Sequence, residues 1–223
     1  MNHHYSTAIR EFIDFVNLQV GVYMDSIAAF EGHKVRTERQ VARINRPART
    51  ERDAEGRKVI VWASYEDPSQ PDIIHNRVIR ADEYMRANSE GGVNYQQLCR
   101  AILIFIFTFW EDETRRNLAE AMSKTASEIK SDIMGDLRLL RHAILHHKGW
   151  FDTKEHAKLK KLGGMFKPEE EVVISHTNMH QIFILIKQSI ASLTFDAIEG
   201  SNPPFSVNEL RDVAISTHAK KSM

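Results

Sequence analysis

The sequence predicts a mainly α-helical domain that carries a small β-containing insertion. Apolar residues recur at spacings of three and four over several long stretches, which is the period of an amphipathic helix. The run "AILIFIFTFW" at 101–110 is apolar nearly all round and therefore indicates a helix at the centre of the core. Between 33 and 93 the helical pattern gives way to basic, β-branched and loop-forming residues.

Four helices follow from the periodic stretches. The first is predicted over 6–31, where Ser6 or Thr7 is available as a cap and the apolar positions are Ile9, Phe12, Ile13, Val16, Val20, Tyr23, Ile27 and Phe30. A long helix is predicted over 95–126 and another over 127–148, with Ser127 or Ser131 near the start of the latter and Gly149 as its stop. "EVVIS", 171–175, predicts a brief strand, and a final apolar helix is expected over 178–198.

The segment 33–93 is predicted to be an insertion or accessory layer. "KVIVWASYE", 58–66, is typical of a strand, and "IIHNRVIRADEYM" predicts a second strand or a short helix. Residues 33–58 hold nine Lys or Arg and four Asp or Glu, so this part is locally basic. If the first helix continues until Pro47 ends or kinks it, one face carries Arg36, Arg39, Arg43 and Arg46. Those arginines form either a solvated, salt-bridged arm or an arm that contacts phosphate groups.

The length of 223 residues suits one domain, predicted over 1–200, with a core at 95–198 and a flexible tail at 201–223. Lys plus Arg and Asp plus Glu both count 30, so net charge alone indicates no class of partner. The single Cys excludes an internal disulfide and fits a reducing compartment. The first residues lack the basic and apolar regions of a signal peptide, and the longest apolar run is too short to cross a bilayer as a helix. We therefore expect a cytoplasmic protein with no membrane partner.

The stretch "LRLLRHAILHHKGW", 137–150, combines a core-packing pattern with an Arg and three His. At about 100° per residue, one narrow apolar stripe is formed by Ile129, Ile133, Leu137, Leu140 and Ile144. A different sector holds Arg138, Arg141, His142, Leu145 and His146, whereas His147 rotates back toward the core and is expected to be a packed, hydrogen-bonded histidine. Exposed apolar surface beside basic residues indicates a contact surface.

Three interpretations of this second face compete. It is ordinary polar surface, in which cations complement the carboxyl end of a helix dipole. Alternatively, His142 and His146 chelate a metal at i, i+4 spacing, although neither an HExxH pattern nor an adjacent carboxylate ligand accompanies them. In the third interpretation Arg141 holds a phosphodiester while His146 moves a proton near neutral pH.

"RHAILHH" resembles the Arg-x4–6-His motif of HEPN domains, with Arg141 in the Arg position, His142 in the polar position and His146 in the His position. The flanks are similar as well. "DIMGDLRLLRHAILHHKG" resembles the motif helix, "FWEDETRR" a preceding helix, and "FKPEEEVVIS" followed by "HTNMHQIFILI" the closing turn and last helix. The resemblance covers roughly 95–195. It departs from the family pattern in having His at the position where Asn is commoner, and His147 offers a second admissible spacing.

The resemblance implies an antiparallel HEPN-like helical bundle that forms a homodimer and brings two motifs to a shared cleft. It also implies a metal-independent endoribonuclease of a toxin–antitoxin or phage-defence system, with Arg141, His146 and His142 as catalytic residues. No metal and no cofactor are expected. RNA is the expected ligand, contacted by Arg138 and by the basic arm, and an antitoxin or other regulatory protein is an expected partner. The alternative is a catalytically inactive HEPN-like scaffold that binds RNA or protein.

Overall fold

The structure, a computed structural model, describes residues 3–43, 59–65 and 74–199 of the chain. The elements in order are α1 (His3–Arg43), β1 (Val59–Tyr65), β2 (Ile74–Arg80), α2 (Ala81–Ala87), α3 (Val93–Phe109), a π-helical turn (Trp110–Thr114), α4 (Arg115–Ala121), a 3₁₀ turn (Ala126–Glu128), α5 (Asp132–His146), α6 (Thr153–His156) and α7 (His176–Glu199). The mainly α-helical class predicted from the sequence is confirmed. Arg46 and the tail 201–223 lie outside the described residues.

Helix α1 is longer at both ends than the predicted 6–31. Its first half buries Tyr5, Phe12, Val16 and Tyr23 at spacings of seven, four and seven, which is the expected core face. The helix then continues past Gly32 to Arg43, so the predicted accessory segment starts as part of α1. Tertiary packing supports this extension, because the hydroxyl of Tyr84 on α2 lies 3.3 Å from Nδ1 of His33.

Strands β1 and β2 pair antiparallel, with Val59 opposite Arg80 and Tyr65 opposite Ile74. Helix α2 follows β2 directly and buries Ala81, Tyr84 and Ala87. The Asn88 amide closes this helix by donating to the carbonyl of Tyr84 at 2.8 Å.

The predicted helix 95–126 is divided into α3, a π-helical turn and α4. Ile106, Trp110, Thr114 and Leu118 are all buried and recur every four residues. In a regular α-helix, steps of four drift by about 40° each around the axis. The wider π turn takes up part of this drift, and the same face therefore stays in the core through both helices.

Helix α5 begins later than predicted, because residues 126–128 form a separate 3₁₀ turn. Ser131, one of the two predicted start residues, is the N-cap, and its Oγ accepts a hydrogen bond from the Met134 N–H at 3.4 Å. The predicted stop is confirmed: Gly149 has φ +87° and its N–H donates to the carbonyl of Ala143 at 2.9 Å. A β-carbon at Gly149 would lie 3.1 Å from Nη2 of Arg100, so both backbone conformation and space favour glycine.

The predicted strand at 171–175 is wrong. In the described residues this segment forms one isolated bridge, between Glu171 and Trp150, and otherwise runs without a strand partner. Its backbone polar groups bond to the turn after α5, where the Val172 N–H donates to the carbonyl of Gly149 at 2.7 Å, and to α3. On α3 the Gln96 side chain donates to the carbonyl of Ile174 at 2.9 Å and accepts from its N–H at 2.8 Å. The Arg100 guanidinium donates to the carbonyl of Val172 at 3.0 Å.

The core lies around α3, which packs against α1 on one side and α5 on the other, with α7 in contact with both outer helices. Among the described residues, no helix combines the length and the apolar character needed to cross a membrane. This arrangement leaves the carboxyl end of α5 and the turn after it at the surface.

Candidate functional site

Helix α5 has the two faces expected from its sequence. Ile133, Leu137 and Leu140 are buried in the main hydrophobic core, and Ile144 packs against it while partly buried. The opposite face carries Arg138, which is exposed, and Leu145, which is half exposed. Because this inward face is packed in the core, it determines the directions in which the polar side chains at the end of α5 point.

Arg141, His142 and His146 lie together on the last two turns of α5. The rings of His142 and His146 are both exposed, and their centroids are 4.8 Å apart. Arg141 is half-buried; its Nε is shielded from solvent and has no hydrogen-bond partner among the described residues. Arg141 also forms no ion pair with a described carboxylate, in contrast to Arg115, whose Nη1 lies 2.8 Å from Oε1 of Glu111.

His147 does not turn toward the core as expected. The helix ends at His146, and His147 adopts φ −122° and ψ 21°, so the rotation of 100° per residue no longer applies to it. Its ring is exposed and folds over the end of the helix, which places its Nε2 3.2 Å from Nε2 of His142. The expectation of a packed histidine was therefore wrong, whereas the expectation of a hydrogen-bonding one is met by His142.

Glu155 is a neighbour of this cluster that the sequence reasoning missed. It belongs to the short helix α6, and its Oε1 lies 3.7 Å from Nε2 of His142. Asp152 caps α6 by accepting from the Glu155 N–H at 2.6 Å. The sequence signals this cap, but no spacing rule links a residue on α6 to one on α5, because the turn between them sets their approach.

Asp136 holds the chain that follows α6 against α5. This buried carboxylate accepts hydrogen bonds from the backbone N–H groups of Lys160, Lys161 and Leu162 at 2.6–3.0 Å. Because α6 lies between this anchor and the turn after α5, its position relative to the histidines is fixed at both ends.

A cleft of about 390 Å³ opens beside the first half of α5 and has Arg138 in its wall. Two of its cations are paired with carboxylates: Arg115 with Glu111, and Lys160 with Asp132 at 2.7 Å. The hydrogen bond from Lys160 lowers the pKa of the Asp132 carboxyl. Arg138 forms no ion pair with a described residue, so its charge is available at the mouth of the cleft.

The basic arm is described only in part. Arg36 and Arg39 are exposed on α1, the side chain of Arg43 is not described, and Arg46 is outside the described residues. In the described part of the chain, neither a hydrogen bond nor an ion pair joins Arg36 or Arg39 to the residues at the end of α5. The structure therefore brings His142 and His146 together, places Arg141 and Arg138 on the same helix within the preceding two turns, and leaves the arm on a different helix.

Comparison with known proteins yields no match: no protein-family model fits the chain, and neither a curated protein nor a solved structure matches it.

Proposed function

We propose that the chain is a metal-independent endoribonuclease of HEPN type, acting as a homodimer in a toxin–antitoxin or phage-defence setting. The observation that carries the proposal is that Arg141, His142 and His146 occupy the last two turns of a core-packed helix, with the two imidazole rings exposed and their centroids 4.8 Å apart. A guanidinium binds phosphate oxygens and an imidazole transfers protons, and both are needed at a phosphodiester.

His146 is assigned the proton transfers. His146 of one copy takes the proton of the ribose 2′-hydroxyl, that oxygen attacks phosphorus, and the bond from phosphorus to the 5′-oxygen breaks. The protonated His146 of the second copy gives its proton to the leaving 5′-oxygen. The products are a 2′,3′-cyclic phosphate and a 5′-hydroxyl. Proton transfer by a positioned side chain contributes about 10²–10⁴-fold to the rate.

Arg141 is assigned the scissile phosphate. Its charge is not neutralised by a described carboxylate, so the guanidinium is available to hold an anion and to stabilise charge that develops on it. His142 lies beside both residues and is assigned to orient Arg141 or to contact the phosphate. Arg138, one turn earlier, and the exposed Arg36 and Arg39 are assigned to the RNA backbone, an interaction that weakens as salt is added.

The homodimer is supported by an apolar side chain at the surface beside the cluster. Leu145 precedes His146 on the outward face of α5 and is 50% exposed. Apolar groups that protrude beside basic residues are typical of contact surfaces. A second copy of the chain placed on this surface would bring two Arg141–His146 pairs to one cleft.

The test is cleavage of a labelled RNA mixture in EDTA by the wild-type chain, Arg141→Ala and His146→Ala. His180→Ala is the matched control, since His180 is an exposed histidine on α7 outside the cluster. We expect cyclic-phosphate ends from the wild type and the control, and loss of cleavage by at least about 100-fold in the other two. Equal cleavage by all four proteins would contradict the proposal. RNA binding without cleavage by the folded wild type would favour the inactive scaffold instead.

A further inference from the structure

We propose that His142, His147 and Glu155 form a binding site for a divalent transition-metal ion, with Zn²⁺ as the ion that fits best. The ligand atoms of the three side chains lie within 4.8 Å of one another. This site does not rest on the proposed ribonuclease function, and no step of RNA cleavage is assigned to the ion.

Two of the three distances between the ligand atoms are close to those in a tetrahedral zinc site. Zinc binds histidine nitrogen and carboxylate oxygen at about 2.0–2.2 Å, so two ligand atoms of a tetrahedron lie roughly 3.3–3.5 Å apart. Here Nε2 of His142 is 3.2 Å from Nε2 of His147 and 3.7 Å from Oε1 of Glu155. The third pair, Nε2 of His147 and Oε1 of Glu155, lies within 4.8 Å, and rotation of these two side chains would close the three atoms around one ion.

The three side chains have the chemistry of a known ligand set. His142 lies at hydrogen-bond distance from His147 and at ion-pair distance from Glu155, which keeps the three ligand atoms close together. Two imidazole nitrogens and one carboxylate are the His₂Glu ligand set of zinc sites with three protein ligands and a fourth position for water. Imidazole ligands also select zinc or copper over magnesium and calcium.

The backbone that carries the three ligands is fixed by contacts outside the site. His142 is on α5, and the turn that places His147 is closed by the Gly149 N–H bond to Ala143. Helix α6 is held by the Asp152 cap and by Glu169, whose carboxylate accepts from the N–H and the hydroxyl of Thr153 at 2.8 and 2.9 Å. Ligands on fixed segments pay little ordering cost when the ion binds.

The site is open enough to take up an ion from solution. The side chain of His142 is 47% exposed, and that of Glu155 is 19% exposed. The Glu155 carboxylate is partly shielded from water, which strengthens its attraction to a cation. The His142 ring is accessible, so an ion can reach the site from the solvent.

The two metal ligands suggested by the spacing in the sequence differ from the three ligands proposed here. His142 and His146 are at i, i+4, but the structure places Nε2 of His147 beside Nε2 of His142 and adds the carboxylate of Glu155. Variants at His146 and His147 therefore separate the two assignments.

The experiment titrates the full-length metal-stripped chain with Zn²⁺ in a calorimeter, and with Co²⁺ while recording the visible absorption of tetrahedral cobalt. The proteins are the wild type, His142→Ala, His147→Ala, Glu155→Gln, His146→Ala and His180→Ala. The last variant breaks the exposed i, i+4 pair of His176 and His180 on α7, whose ring centroids are 6.4 Å apart, and so controls for weak binding to any helical histidine pair. Circular dichroism and thermal unfolding without metal verify that each variant is folded.

We expect one Zn²⁺ per chain in the wild type, His146→Ala and His180→Ala, with tetrahedral cobalt absorption. Loss of a partner that only hydrogen-bonds a ligand costs 10–100-fold in metal affinity, so loss of a ligand in the three site variants should cost about 100-fold or more. Absence of binding in the wild type would overturn the proposal, as would equal affinity in every variant or loss confined to His146→Ala or His180→Ala. Because no RNA is present, none of these outcomes depends on ribonuclease activity.

Discussion

The backbone N–H of Leu162 donates to the carboxylate of Asp136 at 2.8 Å, which ties the segment after α6 to the middle of α5. The same carboxylate also accepts from Lys160 and Lys161, so it satisfies three consecutive N–H groups. Asp136 is only 2% exposed. A buried carboxylate is tolerated in a core when its oxygens accept hydrogen bonds, as these three N–H groups provide.

Removal of this anchor should destabilise the fold and loosen α6. Asp136→Ala leaves three N–H groups without their acceptor, and hydrogen bonds to a charged group contribute about 1.5–3 kcal/mol each. We expect a loss of about 3–5 kcal/mol in the free energy of unfolding, because some of these groups regain water. Urea unfolding measures it. Asp132→Asn, at an exposed carboxylate of the same helix, is the control and should unfold near the wild-type midpoint.

Two glycines at opposite ends of α5 should respond to alanine in opposite directions. Gly149→Ala places a β-carbon at φ +87° and 3.1 Å from Nη2 of Arg100, and should destabilise the protein by about 1–3 kcal/mol. Gly135 is inside the helix and has nothing within 4 Å of an added β-carbon, so Gly135→Ala should stabilise by up to about 1 kcal/mol. Thermal unfolding of both variants compares the two effects, and a stabilising Gly149→Ala would contradict the assigned turn.

Burial raises the pKa of the Cys99 thiol to about 12 from its ordinary value of 9.0. The unfolded chain therefore releases the thiol proton at a lower pH than the folded chain, and stability that is present below pH 9 is lost as the pH rises toward 12. Each pH unit in that window costs about 1.4 kcal/mol for a fully shifted group.

The measurement is the free energy of unfolding in urea between pH 8 and 11, for the wild type and Cys99→Ala. The free energy of unfolding of the wild type should fall as the pH rises. That of Cys99→Ala should fall less steeply, from a lower starting value because the smaller side chain packs less well. Burial also raises the pKa of Tyr23, so part of the alkaline loss should persist in the variant. Parallel pH profiles for the two proteins would refute the role of the thiol.

The inward face of α5 could be predicted from sequence because the period of a helix is local. Ile133, Leu137 and Leu140 are buried as the spacing of three and four requires. The placement of His147 could not be predicted in this way, since it depends on where the helix ends, and that end is set by the turn through Gly149. Glu155 approaches His142 through tertiary structure alone, which no periodicity records.

The end of α1 and the division of the predicted helix 95–126 were less predictable, because they too depend on tertiary contacts. Helix α1 runs past Gly32, and this part of it is supported by the contact of His33 with Tyr84 on α2, 51 residues away along the chain. The π-helical turn at Trp110 keeps one face in the core, whereas the sequence there suggested one continuous helix. Assignments that depend on packing partners therefore differed from the structure more than those that depend on local period.

Leu145 offers a direct test of the proposed homodimer. It is 50% exposed on the outward face of α5, beside His142 and His146, so a charge placed there would be buried without a partner in an interface but would remain hydrated in a monomer. Leu145→Asp should therefore shift the wild-type dimer to monomer while leaving the fold intact. Sedimentation equilibrium and circular dichroism measure the two properties.

Leu18→Asp is the matched control, because Leu18 is 61% exposed on α1, which packs on the side of α3 away from α5. It should sediment as the wild type does. If the dimer is needed to bring two Arg141–His146 pairs to one cleft, Leu145→Asp should also lose RNA cleavage by about 100-fold or more, since each proton transfer depends on positioned groups. A monomeric wild type would contradict the proposed homodimer, and a Leu145→Asp dimer of wild-type stability would place the interface elsewhere. A monomeric Leu145→Asp with full cleavage would show that one chain suffices for the chemistry.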